Sequence, residues 1–96
     1  MTCYCYILEC ADGTFYTGWT TNPERRVSQH NKGIGAKYTS TRRPVKLVYL
    51  EPHPNRRDAI KRELAIKKMK RAQKSSLVEE EGERMKDEVK CIQINR

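Results

Sequence analysis

Tyr4-Cys5-Tyr6-Ile7-Leu8 is an unbroken aromatic and aliphatic run, the composition of a strand. Polar residues interrupt it at Asp12-Gly13, a strong short hairpin signal because Gly accepts the positive φ that such a turn demands. Thr14-Phe15-Tyr16-Thr17-Gly18 then reads as the returning strand, so Tyr6 and Tyr16 fall on neighbouring antiparallel strands. Asn22-Pro23 opens a helix, with Asn as the N-cap and Pro in the first turn, and the helix is expected to run to about Asn31 and stop at Gly33. Arg26 and His30, four apart, share one face of it.

Residues 33–44 are rich in glycines and hydroxyls and read alone as a loop, with room for a short helical turn around Ala36–Thr39. Lys46-Leu47-Val48-Tyr49-Leu50 is a third strand, ended by Pro52 and Pro54. From Arg56 to about Arg71 comes the clearest helix, which places Ala59, Ile60, Leu64 and Ile66 on one arc at 100° per residue. Glu63 lies inside that arc. Residues 70–78 either extend this helix or begin another, and Cys91-Ile92-Gln93-Ile94 is a weak strand candidate in what is more simply a terminal tail. The expected order is β-β-α-α-β-α, a small α+β domain over residues 1–78 followed by a polar, acidic-leaning tail over 79–96.

Charge changes the picture. The 96 residues carry a net +8, unevenly spread: residues 79–96 hold six acids and four bases, and the preceding 78 residues hold sixteen bases against six acids. Such a basic domain points to a polyanion, nucleic acid above all. No apolar run approaches the roughly 20 residues that span a bilayer, and nothing resembles a signal peptide, so an intracellular protein with no membrane association is expected. The four cysteines, Cys3, Cys5, Cys10 and Cys91, contain no Cys-x-x-Cys pair and read as reduced thiols packed as small hydrophobes.

Several segments together carry a resemblance. Tyr4-Cys5-Tyr6, then Tyr16-Thr17-Gly18 ten residues after Tyr6, then Asn22 with Arg26 and His30, resembles the GIY-YIG nuclease family. Gly33-Ile34-Gly35-Ala36-Lys37-Tyr38-Thr39, Arg43 to Tyr49 and Ala59-Ile60-Lys61-Arg62-Glu63 fit small stand-alone members of that family, over roughly the first three-quarters of the chain. The resemblance implies a three-stranded antiparallel sheet flanked by helices. It also implies a metal-dependent endonuclease hydrolysing phosphodiester bonds, with DNA expected as the nucleic acid over RNA, on branched or damaged structures among others. The alternative is a basic nucleic-acid-binding module of the same fold with weak or no cleavage.

On this resemblance Glu63 holds one divalent ion, Mg2+ or Mn2+. Arg26 clamps the scissile phosphate with its planar, permanently charged donors. Tyr16 prepares the attacking water, Tyr6 positions water and substrate, and His30, with an ordinary pKa near 6.5, is the alternative base. On composition alone a salt bridge with Lys67, one turn on, is the favoured reason for an acid at Glu63; the rest of the constellation turns that preference toward a metal. The catalytic reading therefore requires Glu63, Arg26 and a hairpin phenol round one pocket, with Glu63 not already neutralised by a lysine. Lys37, Arg42, Arg43, Arg56, Arg57 and Lys67 are candidate contacts to backbone phosphate. Without a separate targeting domain, a protein partner or a homodimer is one way to raise affinity.

Overall fold

The computed structural model describes residues 2–85, so Cys91 and the strand candidate at 91–94 lie outside the described residues. Three strands, β1 (Cys3–Glu9), β2 (Phe15–Thr20) and β3 (Lys46–His53), form an antiparallel sheet in the order β2-β1-β3. Four helices accompany it: α1 (Pro23–Asn31), α2 (Lys37–Ser40), α3 (Arg56–Lys67) and α4 (Arg71–Met85). The architecture is α+β, with the sheet flanked by helices. The basic segment after α3 starts a second helix, and α4 runs on across residue 78 to Met85.

Local chemistry explains the boundaries. Gly13 has φ +83°, the left-handed conformation that the hairpin turn needs, and Asp12 Oδ1 accepts from both the amide and the hydroxyl of Thr14. The Asn22 side chain caps α1 by accepting from the Arg25 amide (3.1 Å), and Asn55 caps α3 in the same way from Asp58 (2.9 Å). Pro52 does not end β3, which continues to His53; β3 is an edge strand, where a missing N–H is tolerated.

Alternation along β1 builds two cores. Tyr6 and Leu8 point to one face with Val27 of α1 and Leu47, while Cys5 and Ile7 point to the other with Tyr49 and Ile66 of α3. A bulge at Val48 makes this possible: Leu8 pairs with Leu47 but Ile7 pairs with Tyr49, so Leu47 and Tyr49 serve opposite faces despite lying two apart. Cys3, Cys5 and Cys10 are free, buried thiols. Of the arc expected on α3, Ala59 and Ile66 are buried, but Leu64 is 53% exposed. The stems of Arg62 and Glu63 share the inward face in its place. No helix among the described residues is long and apolar enough to cross a membrane.

Candidate functional site

The α1 face of the sheet carries a directed chain of hydrogen bonds. Arg26 Nε donates to the Tyr6 hydroxyl (3.4 Å), which stands 3.0 Å from Nε2 of His30. On the other side of the imidazole, Nδ1 lies 2.8 Å from the Thr39 hydroxyl, and that hydroxyl donates to the Ala36 carbonyl (3.1 Å). A hydroxyl has one proton. With the Thr39 proton directed at Ala36, Thr39 accepts from Nδ1–H, which leaves Nε2 as the acceptor for Tyr6. His30 is thereby assigned as the neutral Nδ1–H tautomer.

Electrostatics agree with that assignment. Burial, aided by the Arg26 charge, pushes the His30 pKa down to about 4, so the ring stays neutral at pH 7. Burial raises the Tyr6 phenol to about 12; hydrogen bonding and charge from Arg26 oppose the rise, and Tyr16 and Glu63 add to it. His30 is fully buried and its lone pair is engaged, which suits it to holding Tyr6 in place more than to drawing a proton from water.

Two glycines make the close packing possible. A Cβ on Gly18, opposite Tyr6 in the sheet, would stand 2.6 Å from the Tyr6 hydroxyl oxygen. A Cβ on Gly35 would stand 2.5 Å from His30 Nδ1 and 2.8 Å from the His30 Cα. The Gly35 carbonyl also accepts from Arg26 Nη2 (2.8 Å), and Gln29 Oε1 accepts from Nη1 (3.0 Å). Three of the five guanidinium donors are thus committed, and two remain for a ligand.

Tyr16 completes the cluster. Its ring lies 5.1 Å from that of His30 and stacks on Tyr38 at 6.0 Å, and its hydroxyl makes no hydrogen bond among the described residues. Tyr6, Tyr16, Arg26 and His30 are therefore brought together. Beside them the end of β2 and the start of α1 enclose an open cleft of about 410 Å3, lined by Trp19, Asn22, Arg25, Arg26 and Gln29 among others. Neither Arg25 nor Arg26 has a carboxylate partner among the described residues.

Glu63 is placed differently. It rides on α3, which packs on the opposite face of the sheet through Ile66, and it does not line the cleft. Its charge is felt at the Tyr6 phenol, but its carboxylate is paired with Lys67 Nζ at 2.9 Å. No group of three or more His, Cys, Asp or Glu side chains suited to a metal occurs among the described residues. One carboxylate can serve magnesium, whose remaining positions go to water and phosphate, so Glu63 fits as a single ligand only when Lys67 releases it.

The candidate phosphate contacts divide between the two faces. Arg42 pairs with Asp12 (3.1 Å) and lies 3.9 Å over the Tyr38 ring, tying the hairpin turn to α2. Arg43 donates to the Ser40 carbonyl (2.9 Å). Lys37 on α2 and Arg56 and Arg57 on α3 have no ion pair among the described residues, and Lys67 is held by Glu63. Sequence reasoning did not single out Thr39, Gly35, Gln29 or Arg25. Thr39 and Gly35 stood within a recognised segment, but their contacts with His30 depend on how the α1–α2 loop folds back.

Comparison with known proteins extends these findings. The GIY-YIG catalytic domain profile matches residues 2–76. A UPF0213 protein of Syntrophus aciditrophicus is 57% identical over 83 residues, covering 85% of this chain and 95% of that protein. One from Clostridium perfringens is 56% identical over 75 residues, covering 78% of this chain and 81% of that protein. The solution NMR structure of a UPF0213 protein from Bacillus halodurans is similar with a TM-score of 0.57 at 44% identity, covering 85% of this chain and 87% of that one. With the profile spanning nearly all of the described fold, the chain belongs to the GIY-YIG family and, within it, groups with the UPF0213 proteins.

Proposed function

We propose that the protein is a basic nucleic-acid-binding module that grips the phosphate backbone at Arg25 and Arg26 and cleaves weakly or not at all in the arrangement described. The observation that carries this reading is the cleft beside α1, in which two arginines stand without carboxylate partners on a domain of strongly positive charge. Guanidinium groups recognise phosphate through charge and paired donors, and such contacts read backbone and not sequence. The pairing of Glu63 with Lys67 weighs against hydrolysis, since it engages the carboxylate that a metal needs. The test is binding of labelled oligonucleotides as a function of salt, with Arg25→Ala beside the wild type.

A second reading is metal-dependent hydrolysis, with Mg2+ or Mn2+ held by Glu63, Arg26 clamping the phosphate and Tyr16 preparing the water. One observation favours it: Tyr6, Tyr16, Arg26 and His30 meet in a single cluster, with the Glu63 charge felt at Tyr6. Lys67 is half-exposed although Glu63 is largely covered, and a pair of this kind contributes about 1 kcal/mol or less, so a divalent ion could displace Lys67. Nicking of supercoiled plasmid in magnesium or manganese, with Glu63→Gln as control, separates the two readings.

A further inference from the structure

Ile34 is the most exposed large hydrophobic side chain among the described residues, at 71%. A lone apolar residue on a surface needs no explanation by itself, but the backbone that carries this one is fixed. The Ile34 amide donates to the Gln29 carbonyl (3.1 Å), and the Gly33 amide donates to the His30 carbonyl (3.1 Å). Gly33 has φ +87°, the left-handed conformation in which the chain leaves α1. Each glycine beside Ile34 also meets a guanidinium group. The Gly35 carbonyl accepts from Arg26 Nη2 (2.8 Å), and a Cβ on Gly33 would stand 2.9 Å from Arg43 Nη1.

The surroundings are cationic. Arg43 is exposed and commits two of its five donors, to the carbonyls of Ser40 (2.9 Å) and Asn31 (3.4 Å). Lys32 and Lys37, on either side of the loop in sequence, are exposed and have no ion pair among the described residues. From Arg25 to Leu50 the chain holds seven basic residues and no acid, so no carboxylate of this segment repels a phosphate.

We propose that Ile34 is a wedge: with Arg26 and Arg43 on backbone phosphates, the isoleucine enters a base step of a nucleic-acid duplex and parts its two bases. The inference rests on the nucleic-acid reading and names the form of duplex preferred. An apolar side chain gains by leaving water for the space between base faces, and a β-branched one loses little rotamer freedom on entering. Guanidinium groups on the phosphates to either side fix where it enters. Opening an intact step costs a few kcal/mol, so a duplex already interrupted binds more tightly than a continuous one.

The full chain is titrated, without divalent metal, with a continuous DNA duplex and with the same duplex carrying a one-nucleotide gap and 2-aminopurine beside it. Anisotropy gives the two affinities, and 2-aminopurine emission rises when that base is unstacked. The expected result is tighter binding of the gapped duplex by about tenfold, with increased emission. Ile34→Ala should bring the affinity ratio close to one and leave the salt dependence as in the wild type, because no charge is removed; Ile34→Leu should retain most of the preference. Equal affinity of the wild type for the two duplexes, or an unchanged ratio and emission in Ile34→Ala, overturns the wedge and leaves backbone binding standing. Absence of binding to either duplex at low salt overturns both. If Ile34→Ala does not fold, the wild-type ratio and emission still decide.

Discussion

The Tyr6 hydroxyl stands 3.0 Å from Nε2 of His30, and the far side of that imidazole is held by Thr39. Residues from β1, α1 and α2 are locked into one chain of donors and acceptors, with the Arg26 guanidinium at its open end. The arrangement keeps Tyr6 and His30 neutral and leaves the charge to the arginine. A neutral buried pair supporting an outward cation suits anion binding without any chemical step.

His30 makes stability depend on pH. Its folded pKa of about 4 lies below the ordinary 6.5, so between those values the unfolded chain binds more protons. The His30 contribution is complete above about pH 6.5 and is lost as pH falls toward 4. Thermal unfolding should therefore show Tm declining over that window in the wild type. His30→Gln, which can hydrogen-bond with both Tyr6 and Thr39, should give a flatter profile; an equal decline would remove His30 as the cause.

Gly18 opposes Tyr6 at van der Waals limits. In Gly18→Ala the added methyl would meet the Tyr6 hydroxyl oxygen at 2.6 Å and its ring carbon at 2.7 Å. Displacing a fully packed aromatic ring should destabilise by about 1–3 kcal/mol, seen as a lower Tm. The shift should also weaken oligonucleotide binding, since Arg26 loses its Tyr6 contact. A variant with wild-type Tm and affinity would mean that the ring moves freely.

Lys67→Ala tests whether the ion pair restrains Glu63. Side-chain accessibility is 48% for Lys67 and 14% for Glu63, so removing the lysine should cost about 1 kcal/mol or less of stability. Plasmid nicking in manganese is expected to be faint or absent in the wild type and greater in Lys67→Ala, with Glu63→Gln abolishing it. Strong wild-type nicking that depends on Glu63 would place hydrolysis ahead of binding as the function.

Local signals made much of this fold legible. Asp12-Gly13, Asn22-Pro23 and the apolar run of β1 act over a few residues, and the hairpin, the α1 cap and the sheet follow from them. The convergence of Tyr6, Arg26 and His30 was anticipated through the ordered motifs, because helical spacing and strand pairing fix relative directions. Thr39 and Gly35 were hidden for the opposite reason: their contacts with His30 pass through a loop with no periodicity. On α3 the arc pattern failed at Leu64, because the long stems of Arg62 and Glu63 can cover apolar surface as a leucine would. Composition favoured a Lys67 pair for Glu63, the resemblance turned the expectation to a metal, and the structure has the lysine pair.

Arg25 offers the cleanest probe of backbone binding, since its side chain makes no hydrogen bond or ion pair among the described residues and its loss should leave the fold intact. The decisive measurement is the affinity for a labelled single strand from about 50 to 200 mM salt, for the wild type and Arg25→Ala. The account predicts a steep linear fall of log affinity with log salt in the wild type, and a slope shallower by about 1 in Arg25→Ala with weaker binding at low salt. Affinity indifferent to salt, or an Arg25→Ala variant indistinguishable from wild type, would contradict a phosphate-gripping cleft.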